Sequence, residues 1–383
     1  MRFTRRIMLS CLLGAAALSL AAPSFAQDTV KIGFVAALTG PAADLGRPTR
    51  DGALLMIDAL NAAGGVNGKK IELVIFDDES NPARAVSGVR KMIDSDGVLA
   101  IASATTTGAT LATLKITQDQ EIPHLVFLAQ APVVTRPLNP WTFRVSANFD
   151  DEIARIVTFL KDSGAKRIAV LKDSGTVGKE AIAYLKPKLD GLGIEIVSDE
   201  NVIVNATDVT AQSLNIRRAA PDAVVFYGYG PEAALFGKTM KQIGFSAPVI
   251  GNRGLAMPVF LDIGGPAVEG FVFTDNYTET RPESQDFAKK FKARFNYDPI
   301  NAFPAIGYDG AGILAQAVKT AKTLDRKGFR DALEGISNFP AIAGGPGHSY
   351  SFTAQKHDGP TGSVESVVVI RQVKDGKYTD YKK

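Results

Sequence analysis

Strand-like and helix-like segments alternate through nearly the whole chain, and the strand-like ones are apolar at almost every position. Val30 to Ala37, Ile71 to Phe76, Val98 to Ala102 and Leu125 to Leu128 are such runs. Between them, Gly52 to Ala63, Ala83 to Ile93 and Gly108 to Gln118 space their apolar residues as a helix does. Gly64-Gly65 supplies a left-handed C-cap for the first of these. A strand with one wet face alternates in polarity, whereas a strand apolar on both faces needs cover on both. Strand–helix–strand order with such strands therefore specifies an α/β fold built on doubly wound parallel sheets.

The pattern then restarts. Arg167 to Leu171, Ile194 to Val197, Ala223 to Tyr227, Val249-Ile250 and Phe271 to Phe273 read as strands. Helical spacing falls at Asp151–Lys161, Lys179–Leu192, Thr210–Arg218 and Glu232–Ile243, and later at Ser284–Phe295 and Ala305–Leu324. With 383 residues and roughly 100–200 per domain, two domains of similar size are expected. The chain ends in the apolar run Val364 to Ile370 and a hairpin-like turn at Lys374-Asp375-Gly376-Lys377.

The N-terminus has a different character. Arg2, Arg5 and Arg6 precede a charge-free run from Ile7 to Ala22, and Ser24-Phe25-Ala26 offers small residues to a signal peptidase. Residues 1–26 read as a secretory signal peptide cleaved after Ala26. Both the twin-arginine and the general secretory routes are compatible with Thr4-Arg5-Arg6. Cleavage removes three arginines and no acid, leaving Lys plus Arg balanced by Asp plus Glu at 40 each. No basic stripe remains to hold nucleic acid. No second apolar run approaches the ~20 residues of a membrane span. Cys11, the single cysteine, lies inside the signal, so the exported chain has no disulfide, thiol nucleophile or thiolate metal site.

Catalytic and cofactor motifs are imitated rather than present. Gly175-Thr176-Val177-Gly178-Lys179 has two residues between its glycines and Glu180 after the lysine, so it reads as a strand-to-helix turn and not a phosphate loop. No Gly-x-Gly-x-x-Gly opens the first helix of either unit. His124, His348 and His357 are scattered without metal spacing. Asp77-Asp78-Glu79 is read as a solvated cluster at a strand end. Neither an enzymatic activity, nor a cofactor, nor a metal is expected.

Several segments, in order, carry a family resemblance: Gly33 to Pro41, Leu45-Gly46, Asn61 to Gly68, Asp77-Asp78, Ile122-Pro123, Phe143-Arg144, Asp173 with Gly178, Tyr229 to Glu232, and Gly307-Tyr308-Asp309. The chain resembles the periplasmic solute-binding proteins of ABC importers, of the branched-chain amino acid type. The resemblance implies a type I periplasmic binding fold: two lobes joined by three crossovers, near Ala147–Asp150, Thr274–Thr278 and Thr353–Pro360. One lobe would comprise residues 27–147 plus 278–354, the other 148–277 plus 355–383. A monomer that closes on its solute and docks on an inner-membrane permease is implied too.

Ligands of open parallel sheets sit outside the carboxyl ends of the strands, so the loops there are the candidate site. Thr106, Thr107 and Gly108 open a helix after a strand, where exposed amides and hydroxyls suit a carboxylate; a plain N-cap is the alternative. By resemblance, Ala129, Gln130 and Ala131 also hold the carboxylate, with Gln130 where a hydroxyl residue is expected. Leu45 and Val177 stand where relatives often carry aromatics and form an apolar wall or core. Tyr229 offers a ring face and a hydroxyl. Phe149 and Tyr277, at crossovers, line the cleft or fill the core.

Arg253 follows Val249-Ile250, in a region where amino-acid binders of this family carry an acid for the ligand's ammonium. A guanidinium there would pair with a carboxylate instead. The expected solute is a carboxylic acid, amino-acid-like or, in preference, an aromatic or aliphatic acid without an α-amine. Two rivals stand beside this reading: a sensory module of the same fold, disfavoured by the tail-less C-terminus at Lys383, and an exported α/β enzyme.

Overall fold

The structure, a computed structural model, describes residues 29–382; the signal peptide, its cleavage after Ala26 and Cys11 lie outside the described residues. Strands β1 (Thr29–Ala36), β2 (Lys70–Asp77), β3 (Ala100–Ala104), β4 (His124–Val126) and β5 (Thr142–Arg144) pair in parallel in the order β2-β1-β3-β4-β5. Helices α1 (Ala43–Ala62), α2 (Pro82–Lys91) and α3 (Thr107–Asp119) make the crossovers. The chain then passes to α4 (Phe149–Ser163), β6 (Arg167–Asp173), α5 (Thr176–Leu189), β7 (Glu195–Val202), α6 (Thr210–Ala219), β8 (Ala223–Tyr227), α7 (Gly230–Gln242), β9 (Val249–Gly251), α8 (Pro258–Gly264) and β10 (Val272–Asp275). These five strands are again parallel, in the order β10-β9-β8-β6-β7. The second sheet thus repeats the connectivity of the first, as the restarted sequence pattern requires.

Helices α9 (Pro282–Phe295), α10 (Ala302–Thr320) and α11 (Arg326–Glu334) return to the first lobe, where Phe287, Phe291 and Ile313 join the core of Ile32, Phe34 and Phe127. The α1–α10 contact is close because both helices present glycine there: a Cβ on Gly52 would lie 1.9 Å from Pro304 O, and one on Gly307 1.9 Å from Thr49 O. A small sheet follows, from β11 (Phe339–Pro340), β12 (Ser349–Tyr350) and β13 (Pro360–Thr361). Its ladder pairs Ser349 with Thr361, so the chain leaves this lobe beyond the Thr353–Pro360 segment in which the sequence places the third crossover.

The short helix α12 (Val364–Val367) then leads to β14 (Val369–Lys374), antiparallel to β10, and β15 (Lys377–Asp380), antiparallel to β14, which extend the second sheet. The apolar run Val364 to Ile370 is therefore split between a helical turn and a strand start. Asp375 and Gly376, at φ 52° and 68°, form the two-residue turn their sequence specifies. Helix α1 begins well before Gly52 and carries Pro48 inside it. Proline there forgoes one intrahelical hydrogen bond, and the packing of Leu45, Ala53 and Ile57 into the core outweighs that loss. No helix among the described residues is long and apolar enough to cross a membrane.

Candidate functional site

Strand order reverses once in each sheet, between β1 and β3 and between β6 and β8. Crevices form outside the carboxyl ends of strands at such switch points. Here the two crevices face each other across a cavity of about 320 Å³. The loops after β1, β2 and β3 contribute Pro41 and Ala42, Ser80 and Pro82, and Thr106 and Gly108. The loops after β6, β7 and β8 contribute Asp173 with Gly175 to Val177, Val204 with Asn205, and Tyr229 with Pro231 and Glu232. Five helices, α1, α2, α3, α5 and α7, therefore begin at one cavity, three in the first lobe and two in the second.

The individual groups are set by local chemistry. Thr106 caps α3, its Oγ1 accepting from Ala109 N at 3.2 Å, which leaves its hydroxyl proton available to a ligand. Helices α1, α5 and α7 start at Ala42, Gly175 and Tyr229 with no side-chain cap. Asp173 Oδ1 accepts from Gly175 N at 2.7 Å, and Glu232 Oε1 from Asn205 N at 2.5 Å. The second oxygen of each carboxylate, Asp173 Oδ2 and Glu232 Oε2, is buried without a partner among the described residues. Burial raises both carboxyls above the usual range, against the pull of their backbone donors. Burial likewise pushes the Tyr229 phenol up, with Asp173 and Glu232 adding to the shift.

Of the residues nominated from sequence, Thr106, Gly108, Val177 and Tyr229 line this cavity, and Thr107 is buried in the first turn of α3. The others lie deeper. Leu45 is part of the first-lobe core, and Phe149 is fully buried, edge-on to Tyr227. Ala129, Gln130 and Ala131 form a buried segment beyond β4, and the Gln130 amide nitrogen has no partner among the described residues. Arg144 holds that segment, donating to Gln130 O at 3.1 Å and Ala131 O at 2.7 Å while paired with Asp358. Tyr277 is buried against a different cavity.

Arg253 is buried and does not line this cavity. Its guanidinium donates to Leu128 O of the first lobe at 2.8 Å and to Asn276 Oδ1 of the second crossover at 3.1 Å, and lies over the Phe303 ring. Burial lowers its pKa, with Glu152 and Asp275 opposing. The loop that carries it is pressed onto the loop after β8: a Cβ on Gly254 would sit 1.8 Å from Gly228 O. Beneath it, the buried Glu152 accepts from Arg253 N at 2.9 Å, Thr274 Oγ1 at 2.7 Å and the Tyr227 hydroxyl at 2.5 Å.

Sequence reasoning missed Asp173 and Glu232 as wall residues, Glu152 as the support of the Arg253 loop and Arg144 as the support of the segment at residues 129–131. Asp173 at a strand end and Glu232 in a helix's first turn were the available signals. The cluster at Asp77-Asp78-Glu79 also differs from expectation. Asp78 is fully buried, and Asp77 accepts from Leu38 N, Thr39 N and the Thr39 hydroxyl, fixing the loop before α1.

The family model described as "Periplasmic binding protein" matches residues 29–377 of the chain. A "Leucine-, isoleucine-, valine-, threonine-, and alanine-binding protein" of Pseudomonas aeruginosa is 31% identical over 315 residues, covering 81% of this chain and 83% of its own. A type 1 periplasmic binding protein from Bordetella pertussis superposes with a TM-score of 0.85 at 28% identity, over 93% of this chain and 100% of its own. The leucine binding protein LivK of Thermotoga maritima gives 0.82 at 26%, over 92% and 98%.

Proposed function

Because this chain belongs to the periplasmic binding protein family, we propose that it captures a small carboxylate solute between its lobes in the periplasm and delivers it to an inner-membrane ABC permease, without chemical conversion. The observation that carries this reading is the convergence of five helix N-termini on one cavity. Each helix start carries about half a positive charge, and a carboxylate is the group that such an array accepts. The starts of α1, α5 and α7 have no side-chain cap, while Asn81 caps α2 and Thr106 caps α3. Pro41, Ala42, Pro82, Val177, Val204 and Pro231 give the same cavity an apolar wall for the body of the solute.

The finer reading is an aromatic or aliphatic acid without an α-amine. An ammonium enclosed in a dry cleft requires an acceptor of opposite charge. Arg253 is a buried cation behind the cavity, in the loop beyond β9, and the five positive helix ends at the cavity add to its repulsion. Burial also biases Asp173 and Glu232 toward their protonated forms, in which they donate to a carboxylate rather than balance an ammonium. A second reading, an amino acid like those in the name of the Pseudomonas aeruginosa relative, is favoured by the same two acids if they stay ionised.

A thermal-shift screen of the purified chain over amino acids, aliphatic acids and aromatic acids tests the class. Stabilisation by at least one carboxylate is expected, about 2.7 kcal/mol at a hundred times its dissociation constant. Stabilisation by neutral sugars or cations alone, or turnover of the bound compound, would overturn the reading.

A further inference from the structure

A second cavity, of about 660 Å³, lies on a different part of the molecule, between α9 of the first lobe and α8 with β15 of the second. Its wall includes Leu261, Tyr277, Ser284, Lys289, Ile300 and Lys377. Tyr277 and Ser284 are fully buried, yet neither the Tyr277 hydroxyl nor Ser284 Oγ has a partner among the described residues. Buried hydroxyls ordinarily find one, so two at a single cavity call for a polar group within it. Ser284 lies in the first turn of α9, a fourteen-residue helix that starts at Pro282 with no side-chain cap. Lys289 and Lys377, both exposed, show no ion pair among the described residues. The two acids on the wall are engaged elsewhere, Glu279 with Arg371 at 2.9 Å and Asp298 with Lys292 at 2.7 Å. Leu261 and Ile300 supply apolar wall.

We propose that this cavity is a second binding site, which takes a small organic acid with an aliphatic body, its carboxylate at Ser284 and Tyr277 and its chain against Leu261 and Ile300. Hydroxyls, an uncapped helix start and two unpaired ammonium groups all favour a negative head. Tyr277 belongs to the segment that joins the second lobe to α9, and the walls come from both lobes. An occupant touches both sides of a hinge and so couples its own binding to closure of the solute cleft.

The test is methyl NMR on protein labelled at Ile, Leu and Val, titrated with octanoate and, separately, with octan-1-ol. Saturable shifts of the Leu261 and Ile300 methyls with octanoate, and none with the alcohol at equal concentration, are expected. Ser284→Ala removes an unpaired hydroxyl without leaving a broken bond in the protein, and Lys377→Gln changes an exposed side chain, so both variants fold. Each weakens octanoate binding at these methyls by about tenfold. The Val177 and Val204 methyls report the solute cleft independently. Equal shifts with octan-1-ol, shifts confined to Val177 and Val204, or unchanged affinity in both variants would overturn the proposal.

Discussion

Gly108 and Thr176 stand opposite each other across the cleft: a Cβ added to Gly108 would lie 3.7 Å from Thr176 Oγ1. One residue is in the first turn of α3 and the other starts α5, so the two lobes meet through helix N-termini. A bare Cβ fits there and a longer side chain does not fit a closed cleft.

Gly108→Leu should therefore fold normally, gaining up to about 1 kcal/mol of helix propensity over glycine. It should lose the stabilisation that a saturating solute gives the unmodified chain. Thermal melts with and without solute compare the two. A variant that retains the full ligand-induced shift would separate Gly108 from closure. Small-angle scattering of the unmodified chain should show compaction on adding that solute.

The wall acids set a pH dependence whose sign tells a carboxylate from an ammonium ligand. Burial raises the pKa of both Asp173 and Glu232, so each takes up its proton at a higher pH than it would in water. Protonation turns an acceptor into a donor. Affinity for a bare carboxylate should rise as pH falls through that window, until the solute itself protonates near pH ~4–5. Affinity for an amino acid should fall over the same window. Titrations at a series of pH values read the slope, and Asp173→Asn together with Glu232→Gln should flatten it.

Arg253 is expected to matter through both its charge and its two-directional fork. Arg253→Ala removes the donors to Leu128 O and Asn276 Oδ1 as well as a buried cation behind the cleft. Loss of such a buried partner typically costs ~2–5 kcal/mol, which is tens-fold or more in affinity. Arg253→Lys should not restore binding, because one ammonium cannot reproduce the planar fork over Phe303. Unchanged affinity in Arg253→Ala, measured by calorimetry, would exclude this role.

Glu152 is a support rather than a contact. Glu152→Ala strands the Arg253 amide, the Thr274 hydroxyl and the Tyr227 hydroxyl, at about 1–3 kcal/mol for each unsatisfied group. Glu152→Gln should recover most of that stability. Its carbonyl oxygen can serve Arg253 N and Thr274 Oγ1 while its amide donates to the Tyr227 oxygen. Urea denaturation of the two variants checks the order.

The sheets were legible because β1, β3, β6 and β8 are buried on both faces, which leaves continuous apolar runs. Asp375-Gly376 was legible as a turn because only a few residue types accept two successive positive φ values. The start of α1 was hidden by Pro48, whose unfavourable local effect is overruled by tertiary packing. Around the cavity, residues directly after strands were legible as its lining, since topology alone brings Thr106 and Gly108 to one crevice and Val177 and Tyr229 to the crevice facing it. Partnerships across the chain were not. Arg253 donates to Leu128 O, 125 positions earlier, and Arg144 pairs with Asp358, 214 positions later. No local spacing carries such contacts. The burial that makes Asp173 and Glu232 part of the wall is likewise a property of the assembled loops.

The central claim is that the cleft takes a carboxylate solute without an α-amine. The most direct measurement is calorimetric titration of the purified chain with matched pairs: phenylalanine against 3-phenylpropanoate, and leucine against 4-methylpentanoate. Each pair shares its carboxylate and its apolar body and differs only in the ammonium. Tighter binding of the desamino acid, by about tenfold or more in at least one pair, is the predicted result. Tighter binding of the amino acid in both pairs would contradict the account and leave the amino-acid reading, with Asp173 and Glu232 ionised, in its place.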